Sequence, residues 1–172
     1  MSVLIPLSYG WEHEAWLTSY YPDDLPEDWR FGYFANEHAG VIVPESVWQN
    51  ADADQIEEWF DDAHDNFAWV IEVRFEALSR AYEAFEPYWS SIDALYVADA
   101  DCPFFHEKPI VGSAQVSDRA LLLESDAITP KEWGTVLKDA AQQPAQQVFI
   151  WVKQSDRNVT LLQDVQTLAG LL

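Results

Sequence analysis

Short apolar runs alternate with helix-patterned stretches along almost the whole chain, and this alternation narrows the fold more than any other feature. The runs at 3–7 and 39–44, the segment "FAWVIEVRF" and the segment "DALYVAD" read as the first four strands. They are short, and they mix β-branched with aromatic residues. "RALLLES" and "QQVFIWVK" extend the series, with a short strand at "PIVGS". Between them lie helical patterns. Pro26 suits the first turn of a helix over "EDWRFGYFANEH", with Gly40 as its stop. In "DADQIEEWFDDAH", Ile56, Trp59 and Phe60 mark one face at i, i+3, i+4. Leu78, Tyr82, Phe85 and Trp89 repeat at helical spacing through residues 76–89. Thr129-Pro130-Lys131-Glu132 predicts an N-cap, a proline at the first helical position and a capping box. A last helix is expected over residues 161–171. Strand and helix taking turns is the signature of an α/β domain with a mainly parallel sheet.

A chain of 172 residues is most simply one domain, here 1–172. It can bury roughly 70% of its unfolded surface, so it needs no disulfide or metal staple. The single cysteine, Cys102, allows no intrachain disulfide and fits a reducing compartment. The start "MSVLIPLSYGW" lacks the basic and apolar regions of a signal peptide, and no segment approaches a membrane span. A cytoplasmic location is the resulting expectation. Nine Lys and Arg against 30 Asp and Glu give a net charge of −21. Nucleic-acid and anionic-membrane partners are therefore not expected.

The stretch "GWEHEAWLTSYYPDDLPEDW" carries Gly10-Trp11, Trp16, Tyr21-Pro22, Leu25-Pro26 and Trp29 at a fixed spacing. This resembles the N-terminal signature of the YecE-like family, a domain of unknown function. "WRFGYFANEHAGVIV" and "DNFAWVIEVRFEAL" continue the match, and "VFIWVKQSDRNVTLLQDVQTLAGLL" is similar to the family's final strand and helix. The resemblance implies a TIM-barrel-like arrangement, reduced or incomplete here, with no established reaction. The departures lie at polar positions. The family's Glu in the second strand is replaced by an apolar residue of "VIV", its Lys in the third strand corresponds to Glu72, and its Asn pair falls near Gln154-Ser155. Family members are longer, so the chain reads as a shortened, diverged member whose polar pocket is not kept intact.

In such a fold, functional groups gather beyond the strands' C-terminal ends. That rule selects Glu45, Arg74, Asp99, Asp101, Glu124, Asp126 and Lys153. An acidic ring with Arg74 and Lys153 as counter-charges could bind a divalent cation or a polar metabolite, and the plainer account is a solvated rim. Asp99, Asp101 and His106, with Glu124, are the candidate metal ligands, although their spacing matches no compact motif. Glu72 inside an apolar strand is a candidate acid or base, or else is exposed or paired across strands, with Arg74 on its face at i, i+2. Trp11, Trp16 and Tyr21 are expected over the barrel mouth, either sealing that end or forming an aromatic wall for a flat or cationic ligand. No phosphate loop, nucleophile elbow or His-Glu-x-x-His is present.

Two functions follow as expectations: a non-catalytic or partner-binding YecE-like domain without cofactor, forming a homodimer through an apolar helix face, or a small metal-assisted hydrolase or isomerase using Asp99, Asp101 and Glu124.

Overall fold

The computed structural model describes residues 2–99, 108–112 and 118–172. Seven strands form one sheet: β1 (Val3–Tyr9), β2 (Gly40–Val43), β3 (Ala68–Glu72), β4 (Ala94–Tyr96), β5 (Ile110–Val111), β6 (Ala120–Ser125) and β7 (Gln147–Val152). Their order is β5-β4-β3-β2-β1-β7-β6, and every paired neighbour runs parallel. The edge strands β5 and β6 approach one another, so the sheet curls almost into a closed barrel. The α/β, incomplete TIM-like architecture expected from the alternation is the one observed. Around the sheet lie α1 (Glu14–Ser19), α2 (Arg30–Ala35), α3 (Glu45–Gln49), α4 (Ala53–Asp62), α5 (Leu78–Phe85), α6 (Pro130–Ala141) and α7 (Val159–Ala169).

Strand alternation divides the apolar side chains into two cores. Leu7, Ile42, Val70, Ala94, Leu122 and Phe149 fill the barrel interior. Val41, Val43, Trp69, Ile71, Val148 and Ile150 point outward and pack beneath the helices. The interior is graded in size. Gly40, Ala68, Ala94 and Ala120 are the first residues of their strands, whereas Tyr9, Glu72, Tyr96 and Trp151 lie at or next to the strand ends.

Several helix boundaries differ from the sequence reading. Gly40 does not stop a helix; it opens β2. The segment before it is a 3-10 turn at Glu27–Trp29 followed by α2, which ends at Ala35. β3 stops at Glu72, and Phe75–Ala77 is a 3-10 turn rather than strand. α5 gives way to a 3-10 stretch, Glu86–Ser91, where Pro87 brings no N–H to the helical ladder. α1 and α3 were missed because each is only one or two turns long. The capping box of α6 is present as expected, and α4 has a second one from Asp52 and Gln55.

The aromatic stretch does not roof the barrel, and that expectation is corrected. Trp11, Trp16 and Tyr21 are buried in the core between sheet and helices. Trp11 packs edge-on against Phe31 and Trp59 at 4.8 and 5.1 Å. Trp16 stacks on Phe34 and donates its indole N–H to the Ser155 carbonyl at 2.7 Å. Tyr21 donates to the Trp11 carbonyl at 2.6 Å, closing the segment on itself. Only Trp29, 65% exposed, faces solvent. The ring partners of Trp11 and Trp16 lie on α2 and α4, at Phe31, Phe34 and Trp59.

Candidate functional site at the barrel mouth

β1 ends at Tyr9, where Gly10 turns with φ +74°, a conformation that side chains beyond glycine rarely adopt. The turn leaves the Tyr9 hydroxyl reaching across to the tip of β3, where it donates to Glu72 Oε1 at 2.5 Å. The same oxygen accepts the Glu45 backbone N–H at 3.0 Å. The Glu72 carbonyl in turn takes the Trp48 indole N–H at 2.7 Å, which ties the strand end to α3. Burial, reinforced by the Glu72 carboxylate, pushes the Tyr9 hydroxyl pKa far up, so it stays a donor.

Glu45, buried at the start of α3, accepts from the Arg74 backbone N–H on one oxygen and from Arg74 Nε at 2.7 Å on the other. Gln49 adds a bond at 3.1 Å. Arg74 also pairs with Glu76 at 3.2 Å, and the hydrogen bond and charge of Glu45 raise its pKa further. Arg74 therefore serves Glu45; its expected place on one strand face with Glu72 is corrected, because the strand has ended before residue 74, and Glu72 is instead bonded across the barrel to Tyr9. Asp99 Oδ1 accepts the Phe75 N–H at 3.1 Å. Glu45, Glu72, Val73, Arg74, Ala98 and Asp99 together line a cavity of about 310 Å³.

On the other side of Tyr9, aromatic rings cover the mouth. Tyr9 and Trp151 stack at 5.0 Å, and Tyr96 meets Trp151 edge-on at 6.2 Å. The Tyr96 hydroxyl donates to Glu124 at 3.4 Å, and burial together with Glu124 and Glu72 pushes its pKa up to about 12. Lys153 Nζ lies 3.7 Å from Glu124 and 5.3 Å from the centre of a Trp151 ring. Farther round the rim, His13 faces Asp156 at 3.3 Å, and burial holds the Asp156 carboxyl above its ordinary range.

Of the residues expected at this face, the structure gathers Glu45, Glu72, Arg74, Asp99, Glu124 and Lys153 at or just beyond the strand ends. Asp101 and His106 lie outside the described residues, and so does the metal site built on them. Among the described residues no three His, Cys, Asp or Glu side chains are grouped to hold a metal ion. Sequence reasoning missed Tyr9, Tyr96 and Trp151. The signal was there: each keeps the inward alternation of its strand through Leu7, Ala94 and Phe149.

An all-parallel sheet rolled nearly shut, with helices outside and polar groups at its C-terminal ends, defines a protein of the (β/α)-barrel class with an incompletely closed sheet. Within that class the chain is similar in structure to a DUF72 family protein of Thermotoga maritima MSB8. The TM-score is 0.69 at 8% identity, covering 98% of this chain and 99% of that one. It is also similar to a DUF72 family protein of Enterococcus faecalis V583, with a TM-score of 0.65 at 11% identity, covering 100% of this chain and 96% of that one. No protein-family model and no curated protein matches the sequence. At these identities the likeness shows the fold. It spans nearly the whole of both partners, which lends no support to a shortened chain. Among the described residues no helix is long and apolar enough to cross a membrane.

Proposed function

We propose that this chain is a diverged YecE-like domain that binds a small molecule at the C-terminal mouth of its barrel without transforming it. The reading rests on how the two innermost carboxylates are held. Glu72 accepts from Tyr9 and the Glu45 amide, and Glu45 accepts from the Arg74 amide and guanidinium. Both oxygens of Glu45 and Oε1 of Glu72 are taken by the protein's own donors, which makes them struts of the mouth, whereas a general base needs a lone pair aimed at a substrate proton. The cavity of about 310 Å³ beside them suits a ligand of amino-acid or monosaccharide size. The likeness to two DUF72 family proteins supports the family and gives no reaction to carry over.

The test is a thermal-shift screen of the full chain against a panel of neutral, cationic and anionic metabolites, with Mg²⁺, Mn²⁺, Zn²⁺ and EDTA as separate arms. The expected result is stabilisation by one class of organic compound, lost on closing the cavity with Ala98→Trp, and no shift with metals or chelator. A saturable shift with a divalent ion that Asp99→Asn abolishes would overturn it in favour of metal-assisted chemistry.

A further inference from the structure

We infer that the face of Trp151 covered by Lys153 is a binding site for a small organic cation, which Lys153 occupies in cis until such a ligand replaces it. The inference rests on the proposed mouth-binding reading and names its ligand class.

The geometry at Trp151 is that of ammonium recognition. A cationic nitrogen lies 5.3 Å from the ring centre, within the range over which an indole quadrupole attracts a positive charge. A carboxylate oxygen of Glu124 stands 3.7 Å from the same nitrogen. The Tyr96 hydroxyl lies 3.4 Å from the same carboxylate, and the indole stacks against Tyr9 at 5.0 Å. Among the described residues no hydrogen-bond partner reaches the buried indole N–H of Trp151, and its ring contacts are with Tyr9, Tyr96 and Lys153.

Lys153 is an exchangeable occupant. Its side chain is 37% exposed, its distance to Glu124 exceeds that of a charge-assisted hydrogen bond, and a long flexible stem gains entropy on release. An ammonium ligand satisfies the same indole and carboxylate. The field favours that sign of charge, since Glu45, Glu72, Asp99 and Glu124 line the mouth on a chain of net charge −21. An anion would meet these carboxylates; a neutral compound would leave Glu124 with Lys153.

Choline and its neutral isostere 3,3-dimethylbutan-1-ol are the probes, titrated by calorimetry against the full chain. Choline is expected to bind while the isostere does not. Lys153→Met, which removes the competing ammonium from the ring face, is expected to tighten choline binding about tenfold, and Glu124→Gln to weaken it about tenfold. Both positions are partly exposed, and each variant is checked by its melting curve. Choline binding that Lys153→Met weakens or leaves unchanged overturns the inference. So does equal binding of the isostere, in which case ligand binding at the mouth stands and the cation site does not. If neither probe binds, the metabolite panel decides. A neutral or anionic hit there removes the cation site alone, and an empty panel removes the mouth-binding reading with it.

Discussion

Gly40 stands where β2 enters the barrel. A methyl group added there would lie 2.5 Å from the Ala68 carbonyl oxygen and 2.9 Å from a Leu7 methyl. The nearest atom is backbone and cannot turn aside, so Gly40→Ala should destabilise the fold by about 1–3 kcal/mol through overpacking, read in urea melts. Glu45→Ala acts by the opposite route, leaving the Arg74 amide without its acceptor; a loss of about 1–3 kcal/mol is expected in the same assay. His38 supplies a pH dependence. Burial, only partly offset by Gln166 and Glu37, lowers its pKa from 6.5 to about 4. Between those values the unfolded chain binds more protons than the folded one, so stability rises with pH across this window. The contribution, on the order of 3 kcal/mol, is complete above about pH 6.5 and is lost as pH falls to about 4. His38→Gln should flatten the difference in melting temperature over that interval. A variant as pH-sensitive as the parent would refute the assignment.

At the scale of elements, α6 is the best-defined helix from sequence and the simplest to test. Thr129 and Glu132 exchange bonds at the helix start, with the Thr129 amide 2.8 Å from Glu132 Oε2. Thr129→Ala should cost about 1 kcal/mol, a fall in melting temperature of roughly 2–4 °C. The Glu132 carboxyl, now held below its ordinary pKa by those bonds, should titrate closer to it. Signals of this kind were legible because they are local: a cap, a period, a run of β-branched residues. The strands could be read along the chain for the same reason, β5 included. What could not be read was decided across the chain. The Gly10–Trp29 rings look alike in sequence whether they face a mouth or a helix. Their place was fixed by Phe31, Phe34 and Trp59, which lie elsewhere on the chain. Glu72 likewise read as an anomaly in an apolar run. Only the strand's end point showed that it stands at the rim, with Tyr9 and not Arg74 as partner.

Across the whole molecule, net charge and topology set the terms. Thirty acidic residues against nine basic ones make self-repulsion a standing cost of the folded state. Adding salt should screen it, and the melting temperature at neutral pH should climb from low to about 0.15 M NaCl, where the Debye length has shrunk to about 8 Å. A flat response would mean that repulsion among the carboxylates adds no measurable cost to the folded state. The shape of the barrel carries a further consequence. Four of its seven strands begin with a glycine or an alanine, each out of reach of solvent, while its bulky rings stand at the opposite pole. Below those rings the interior is filled by Leu7, Ile42, Val70, Leu122 and Phe149, so a guest at the rim would find no passage through the barrel.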